Sequence, residues 1–241
     1  MSGPPTSKSA AILVVEGVVK RFGGLTAVNH ASCKVVAGSI TGLIGPNGSG
    51  KTTLFNCIAG TERPDAGRIE LAGERIDGRA PSEICAMGLA RTFQITRLFR
   101  EMTVLENLVA VAHGRSDVNA VRRAQELLDL VEVRALEHAL AGTLSYGQRK
   151  LAEIARALMF DPKLLLLDEP FAGINPRLQN RILGYLKRLR DQGVTLFLID
   201  HEMRLLLDVC DTVLAMDTGE LIAEGPPDAI RRDPRVLAAY F

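Results

Sequence analysis

Between Gly45 and Thr53 the chain reads Gly-Pro-Asn-Gly-Ser-Gly-Lys-Thr-Thr, and few short stretches constrain a fold as strongly. The run fits G-x-x-x-x-G-K-[ST] and has the surroundings that pattern needs: an apolar run over 40–44 before it and a helix-like stretch over 53–59 after it. Gly45, Gly48 and Gly50 let the backbone double back, so that successive N–H groups converge on phosphate oxygens. The helix that follows contributes about half a positive charge at its N-terminus. Lys51 contributes a whole charge, and the Thr52 hydroxyl is a ligand suited to Mg²⁺. Pro46, Asn47, Ser49 and Thr53 fill out the predicted phosphate-binding set. A glycine-rich turn without chemistry is the competing reading, and the strand–loop–helix context argues against it.

At 241 residues the chain is long enough to bury a proper core, as one large domain or two small ones. A net charge of +1 argues against nucleic acid as the main partner, because domains that bind it are usually visibly basic. The strongest apolar run, Leu164 to Leu167, is bounded by Lys163 and Asp168, far short of the roughly 20 residues that span a bilayer. Residues 1–10 are small, polar and proline-containing; they read as a flexible tail, without the apolar segment of a signal peptide. Cys33, Cys57, Cys85 and Cys210 lack metal-like spacing and fit a reducing cytoplasm.

Up to the loop, the pattern predicts strands over 14–18, 31–36 and 40–44, with a turn at Gly23-Gly24. Phe22 precedes that turn and is placed to stack on a purine. A strand-like run over 67–76 carries turn signals at Ala72-Gly73, and a short strand over 89–93 delivers Gln94. The stretches 103–112 and 118–131 switch to helical spacing, so that about 95–160 forms a mostly helical insertion. Ser145 stands where the cap of an amphipathic helix would stand.

The run Leu164-Leu165-Leu166-Leu167 suits a strand buried on both faces of a parallel sheet, and it ends in Asp168-Glu169. Two acids at such a strand end are costly unless the chemistry there needs them. In a phosphate-binding protein that need is Mg²⁺ and an attacking water. A helix over 176–192 and a strand over 194–199 follow, and the strand carries Asp200-His201-Glu202 to the same sheet edge. His30, His113 and His138 read as structural or solvated. A hairpin over 213–223 and a helical tail after Pro226 close the chain.

Taken in order, the phosphate loop, Gln94, Leu144-Ser145-Tyr146-Gly147-Gln148, the strand ending in Glu169 and His201 resemble the ATP-binding subunits of ABC transporters, from about Ile12 to Phe241. The resemblance implies an α/β fold, a P-loop NTPase of ABC type. Its features are a central, mostly parallel sheet, an N-terminal antiparallel β subdomain and an inserted helical subdomain within one ATPase domain over 11–241. The wording Phe22-Gly23-Gly24-Leu25, Arg91-Thr92-Phe93-Gln94 and Ala172-Gly173-Ile174-Asn175-Pro176 looks most like ATPases of importers for branched-chain amino acids, or for urea and other small amides.

By the same resemblance, Lys51 and the loop amides would hold the β and γ phosphates of ATP, and Thr52, Asp168 and Gln94 would arrange Mg²⁺. Glu169 would polarise the attacking water, and His201 would hold the γ-phosphate. Ser145, Gly147 and Gln148 would serve the ATP bound by a second ATPase chain, facing head to tail. Two positions depart from the common family wording: Tyr146 replaces a glycine, and Asn175 stands where many members have aspartate. The segment from Gln94 to Met102 carries Ile95, Leu98, Phe99 and Met102 and would dock transmembrane permease subunits, with a solute-binding protein engaged indirectly. The chain would then sit peripherally on the cytoplasmic face of the membrane. A soluble ABC ATPase on a cytoplasmic assembly scaffold is the main rival, since its catalytic core would be nearly identical. A DNA-repair ATPase fits poorly without sustained heptads.

Overall fold

Two sheets carry the chain, and the alternation of apolar residues along their strands explains how they stack. The computed structural model describes residues 10–112, 114 and 116–240. Positions 1–9 of the expected tail and His113 therefore lie outside the described residues. Strands β1 (Ala11–Phe22) and β2 (Leu25–Val36) form an antiparallel hairpin about Gly23-Gly24. With β4 (Ala66–Leu71) and β5 (Glu74–Arg75) they make a four-stranded sheet in the order β2-β1-β4-β5. The second sheet comprises β3 (Ile40–Ile44), β6 (Leu89–Arg91), β7 (Leu164–Asp168), β8 (Thr195–Ile199), β9 (Thr212–Asp217) and β10 (Glu220–Gly225). Its order is β10-β9-β3-β8-β7-β6, parallel throughout except for the β9–β10 hairpin.

Strand β7 is buried along its whole length, as a continuous leucine run predicts. Leu164 and Leu166 face a core shared with the first sheet and α1 (Lys51–Ile58). Leu165 and Leu167 face the opposite way, onto α5 (Tyr146–Leu158) and α6 (Pro176–Asp191). Each such leucine contributes about 2 kcal/mol by leaving water. The sheet is thus fixed from both sides, which holds its strand ends still.

The helical stretch contains α3 (Val104–Val109) and α4 (Asp117–Leu130) ahead of α5. The first is shorter than the expected 103–112, although Thr103 and Glu106 cap it reciprocally. The strand expected over 67–76 breaks at Ala72 and Gly73, both at positive φ, to make the β4–β5 hairpin. Strands β1 and β2 are longer than the runs 14–18 and 31–36, because register shifts about Gly17 absorb the break in alternation. Two short helices are not legible from periodicity: α2 (Pro81–Ala86) and α7 (Met203–Val209). The chain closes with α8 (Pro227–Ile230) and α9 (Pro234–Tyr240). No helix among the described residues is long and apolar enough to cross a membrane.

Parallel pairing sets the location of the site. Strands β3, β8 and β7 are neighbours running the same way, so their carboxyl ends reach one edge of the sheet. The phosphate loop, Asp200-His201 and Asp168-Glu169 therefore arrive side by side.

Candidate functional site

The loop after β3 is held by main chain packed on main chain. A Cβ at Gly45 would lie 2.1 Å from the Met216 carbonyl oxygen, and one at Gly50 would lie 2.2 Å from that of Ala27. Gly50 also has φ +102°, a conformation that L side chains rarely adopt. The Gly219 amide donates to the Ser49 carbonyl at 3.0 Å and ties the loop to the β9–β10 turn. Lys51 Nζ donates to the carbonyls of Gly45 and Pro46 at 2.8 Å each and to Ser49 Oγ at 3.3 Å. Burial lowers the Lys51 pKa, against which the Glu169 and Asp168 carboxylates raise it.

This loop floors a cleft of about 370 Å³ lined by Asn47, Gly48, Thr52, Thr53, Glu169 and His201. Phe22 forms its outer wall together with Thr218, half exposed, with Lys20 Nζ 5.0 Å from the ring centroid. A flat aromatic face at the mouth and amides at the floor suit a purine nucleotide with its phosphates inward.

At the other wall the backbone is strained. Glu169 has φ +49°, unusual for a residue with a side chain, and its amide donates to the Ile199 carbonyl at 2.8 Å. The bend turns its carboxylate out of the sheet and into the cleft. There Gln94 Nε2 donates to Glu169 Oε2 at 2.8 Å, and His201 Nδ1 lies 3.7 Å from Oε1. Asp168 stays buried, its Oδ2 paired with Arg91 Nη2 at 2.8 Å. Arg91 also donates to Asn56 Oδ1 on α1 at 2.6 Å. That guanidinium links the helix after the phosphate loop to the acidic strand end, and sequence reasoning misses both Arg91 and Asn56. The only available signal is an arginine at the end of an apolar strand.

Asp200 and His201, adjacent in sequence, separate in role. Asp200 is buried and accepts from the amides of Phe171 and Glu202 at 2.8 and 2.9 Å. Burial raises its pKa, while those two hydrogen bonds lower it. It latches the turn after β7 to the end of β8. His201 reaches the cleft, whereas His138 is exposed and His30 stands at a positive-φ bend.

Ser145, Gly147 and Gln148 lie outside the cleft. Ser145 caps α5: its Oγ accepts from the Gln148 amide at 3.3 Å, and Gln148 Oε1 accepts from the Ser145 amide at 2.8 Å. Gly147 allows close packing, since a Cβ there would lie 2.2 Å from Leu178 of α6. Tyr146 lies against Gly173, and its hydroxyl donates to the Gln94 carbonyl at 3.4 Å. Asn175 caps α6, with Oδ1 accepting from the Leu178 amide at 3.0 Å. In the segment from Gln94 to Met102, Ile95 and Phe99 are 79% and 55% exposed, whereas Leu98 packs against the core. The docking expectation therefore falls on two apolar side chains, beside a groove lined by Phe93, Arg97, Glu153 and Arg156.

The profile of the family described as "ABC transporter" matches residues 28–172, and that of "Branched-chain amino acid ATP-binding cassette transporter" matches 220–241. The chain is 40% identical to the high-affinity branched-chain amino acid transport ATP-binding protein BraF of Pseudomonas aeruginosa, over 97% of this chain and 98% of the relative. It is 41% identical to LivG of Salmonella typhimurium, described in the same words, with the same shares covered. Among solved structures, the ADP conformation of MJ1267, an ATP-binding cassette of an ABC transporter, superposes with a TM-score of 0.88 at 37% identity, covering 96% of this chain and 99% of the other. On these matches the chain belongs to the ABC transporter family and is one of its ATP-hydrolysing cassettes.

Proposed function

We propose that this cassette drives import of branched-chain amino acids, working as a peripheral subunit at the cytoplasmic face of a membrane beside separate permease subunits. One observation carries the catalytic part of the reading. Glu169, in the cleft with the phosphate loop, has one carboxylate oxygen 2.8 Å from Gln94 Nε2 and the other 3.7 Å from His201 Nδ1. A carboxylate so oriented suits a base that accepts a proton from attacking water. Lys51 and the loop amides hold the β and γ phosphates, Phe22 stacks on the purine, and His201 steadies charge on the γ-phosphate. The hydroxyl of Thr52, the Asp168 carboxylate and the Gln94 amide oxygen are hard oxygen donors, which fit Mg²⁺ shared with phosphate and water. That ion would neutralise charge on the phosphates.

Ser145, Gly147 and Gln148 open a helix and do not line the cleft of the chain's own phosphate loop, which supports service to ATP bound by a second ATPase chain. The segment 11–241 then acts as one ATPase domain, with 95–160 as its inserted helical arm. Ile95 and Phe99 present apolar surface next to Gln94, so permease contact and the Glu169 carboxylate share one short segment. The branched-chain amino acid transport reading is supported by the names of the relatives, and a solute-binding protein engaged through the permease belongs to the importer reading.

The test is to purify the Glu169→Gln chain from gently solubilised membranes with ATP and Mg²⁺ and to identify its companions by mass spectrometry. Polytopic membrane proteins, with or without a second ATPase, are the expected result. Soluble scaffold proteins without a membrane subunit would overturn the transport role and leave the ATPase chemistry in place.

A further inference from the structure

Helix α5 carries Tyr146, Lys150 and Glu153 at i, i+4 and i+7, one face of a helix. All three reach the same stretch of chain, from Phe93 to Arg97. Lys150 Nζ donates to the carbonyls of Phe93 and Gln94 at 3.1 and 3.0 Å, and to that of Asp168 at 3.5 Å. Tyr146 donates to the same Gln94 carbonyl, and Glu153 Oε1 accepts from the Arg97 amide at 3.1 Å.

Lys150 is only 2% exposed. A methionine would fill nearly the same space without the cost of desolvating an ammonium, so packing alone does not explain the lysine. Its distinguishing property is three N–H donors on one atom. Here they meet three carbonyls drawn from two separate segments: the chain beyond β6 and the end of β7. Those carbonyls belong to the peptide leading into Gln94, to Gln94 itself and to the peptide leading into Glu169, and the side chains of Gln94 and Glu169 meet at 2.8 Å.

We propose that Lys150 is a positioning residue for ATP hydrolysis, fixing the spacing between the two main-chain segments that bring the Gln94 amide onto the Glu169 carboxylate. It touches neither side chain and acts through the backbone of both. The inference rests on the assignment of Glu169 as the base. It also gives α5 a second role, because the helix that opens at Ser145 holds the Gln94 carbonyl through Lys150 and Tyr146.

The experiment measures ATP affinity and steady-state hydrolysis for the full chain carrying Lys150→Met, alone and combined with Gln94→Ala. ATP affinity is expected to stay within about twofold while kcat falls about tenfold. In the Gln94→Ala background the further loss shrinks below about twofold, because no amide is left to position. An equal loss in both backgrounds, or none in either, overturns the proposal. Should Lys150→Met not fold, Lys150→Gln, which stays polar but lacks the reach for three carbonyls, is read in the same two backgrounds by the same criteria. Glu169→Gln measured alongside separates the two assignments: near-normal hydrolysis there removes the base itself. Inactive Glu169→Gln with unimpaired Lys150→Met removes only the positioning role.

Discussion

Close main-chain packing, tied off by Lys51, shapes the phosphate loop, whereas side chains hold much of the segment after Gln94, which meets the same cleft through the hydrogen bond from Gln94 to Glu169. Around the loop, Gly45 and Gly50 abut the carbonyls of Met216 and Ala27 with no room for a Cβ. Around the segment up to Phe99, Lys150, Tyr146, Glu153, Arg156 and Asn107 supply side-chain contacts, and main-chain bonds from Gly142 and Ala141 to the carbonyls of Arg100 and Met102 fasten its end. A hydrogen bond between neutral groups is worth about 1 kcal/mol net and one to a charged group about 1.5–3 kcal/mol, so a contact such as that of Tyr146 is exchanged more readily than that of buried Lys150. A backbone packed on backbone has no such freedom. One wall is therefore built to bind the same way every time. The other, held largely by single side-chain contacts, has more freedom to adjust, which would suit the permease contact proposed for it.

The largest expected effect tests whether binding and reaction divide between those walls. Glu169→Gln removes the proposed base and leaves the loop intact, so hydrolysis should fall by about 10²- to 10⁴-fold while ATP binding by equilibrium titration stays near wild type. Parallel loss of binding would show that the two walls act as one. Next in size is Ser145→Arg, which places a bulky cation at the N-terminus of α5, outside the cleft. Turnover should drop about 100-fold with monomer affinity unchanged, provided that end of the helix serves a second chain's nucleotide. Equal weakening of monomer binding would return Ser145 to the chain's own site.

Gly50→Ala probes the rigid wall directly. The methyl meets the Ala27 carbonyl at 2.2 Å in a left-handed backbone conformation. Stability in denaturant should fall by about 2–3 kcal/mol, with ATP binding weakened as well. Unchanged stability would mean that the loop yields, and the contrast with the Gln94 segment would lose its basis.

The rigid wall is far more readable from sequence than the adjustable one, for a physical reason. Phosphate binding by main chain requires glycine at fixed spacing, followed by lysine and a hydroxyl, so residue types alone spell it out. The fully apolar run of β7 and the two acids after it are equally local, and the strand forms where the run predicts it. Arg91, Asn56 and Lys150 depend instead on partners far away in sequence: Arg91 meets Asp168 across 77 positions, and Lys150 meets Phe93 across 57. Arginine and lysine are ordinarily surface residues, so their types give no hint of burial. Tyr146 is visible as a departure from the family wording, but its contact with the Gln94 carbonyl needs the fold. The short helices α2 and α7 escape because six or seven residues give too few turns for periodicity to register.

The smallest expected effect concerns Asn175, beyond the strained Glu169 and just before α6. Many members of the family have aspartate here, and the asparagine brings no charge. In the structure its side chain already has a local partner, accepting from the Leu178 amide at 3.0 Å as the cap of α6, with Pro176 in the first turn. Asn175→Ala should therefore lower stability by about 1 kcal/mol, and Asn175→Asp should retain it, because asparagine and aspartate present the same oxygen to the helix N-terminus. Urea melts of the three chains measure this. If Asn175→Asp matches the native chain in stability but raises ATP turnover, the position serves both the helix and a facing chain. If Asn175→Ala leaves stability untouched, the cap contributes nothing, and this turn would belong with the exchangeable side-chain contacts instead of the rigid frame.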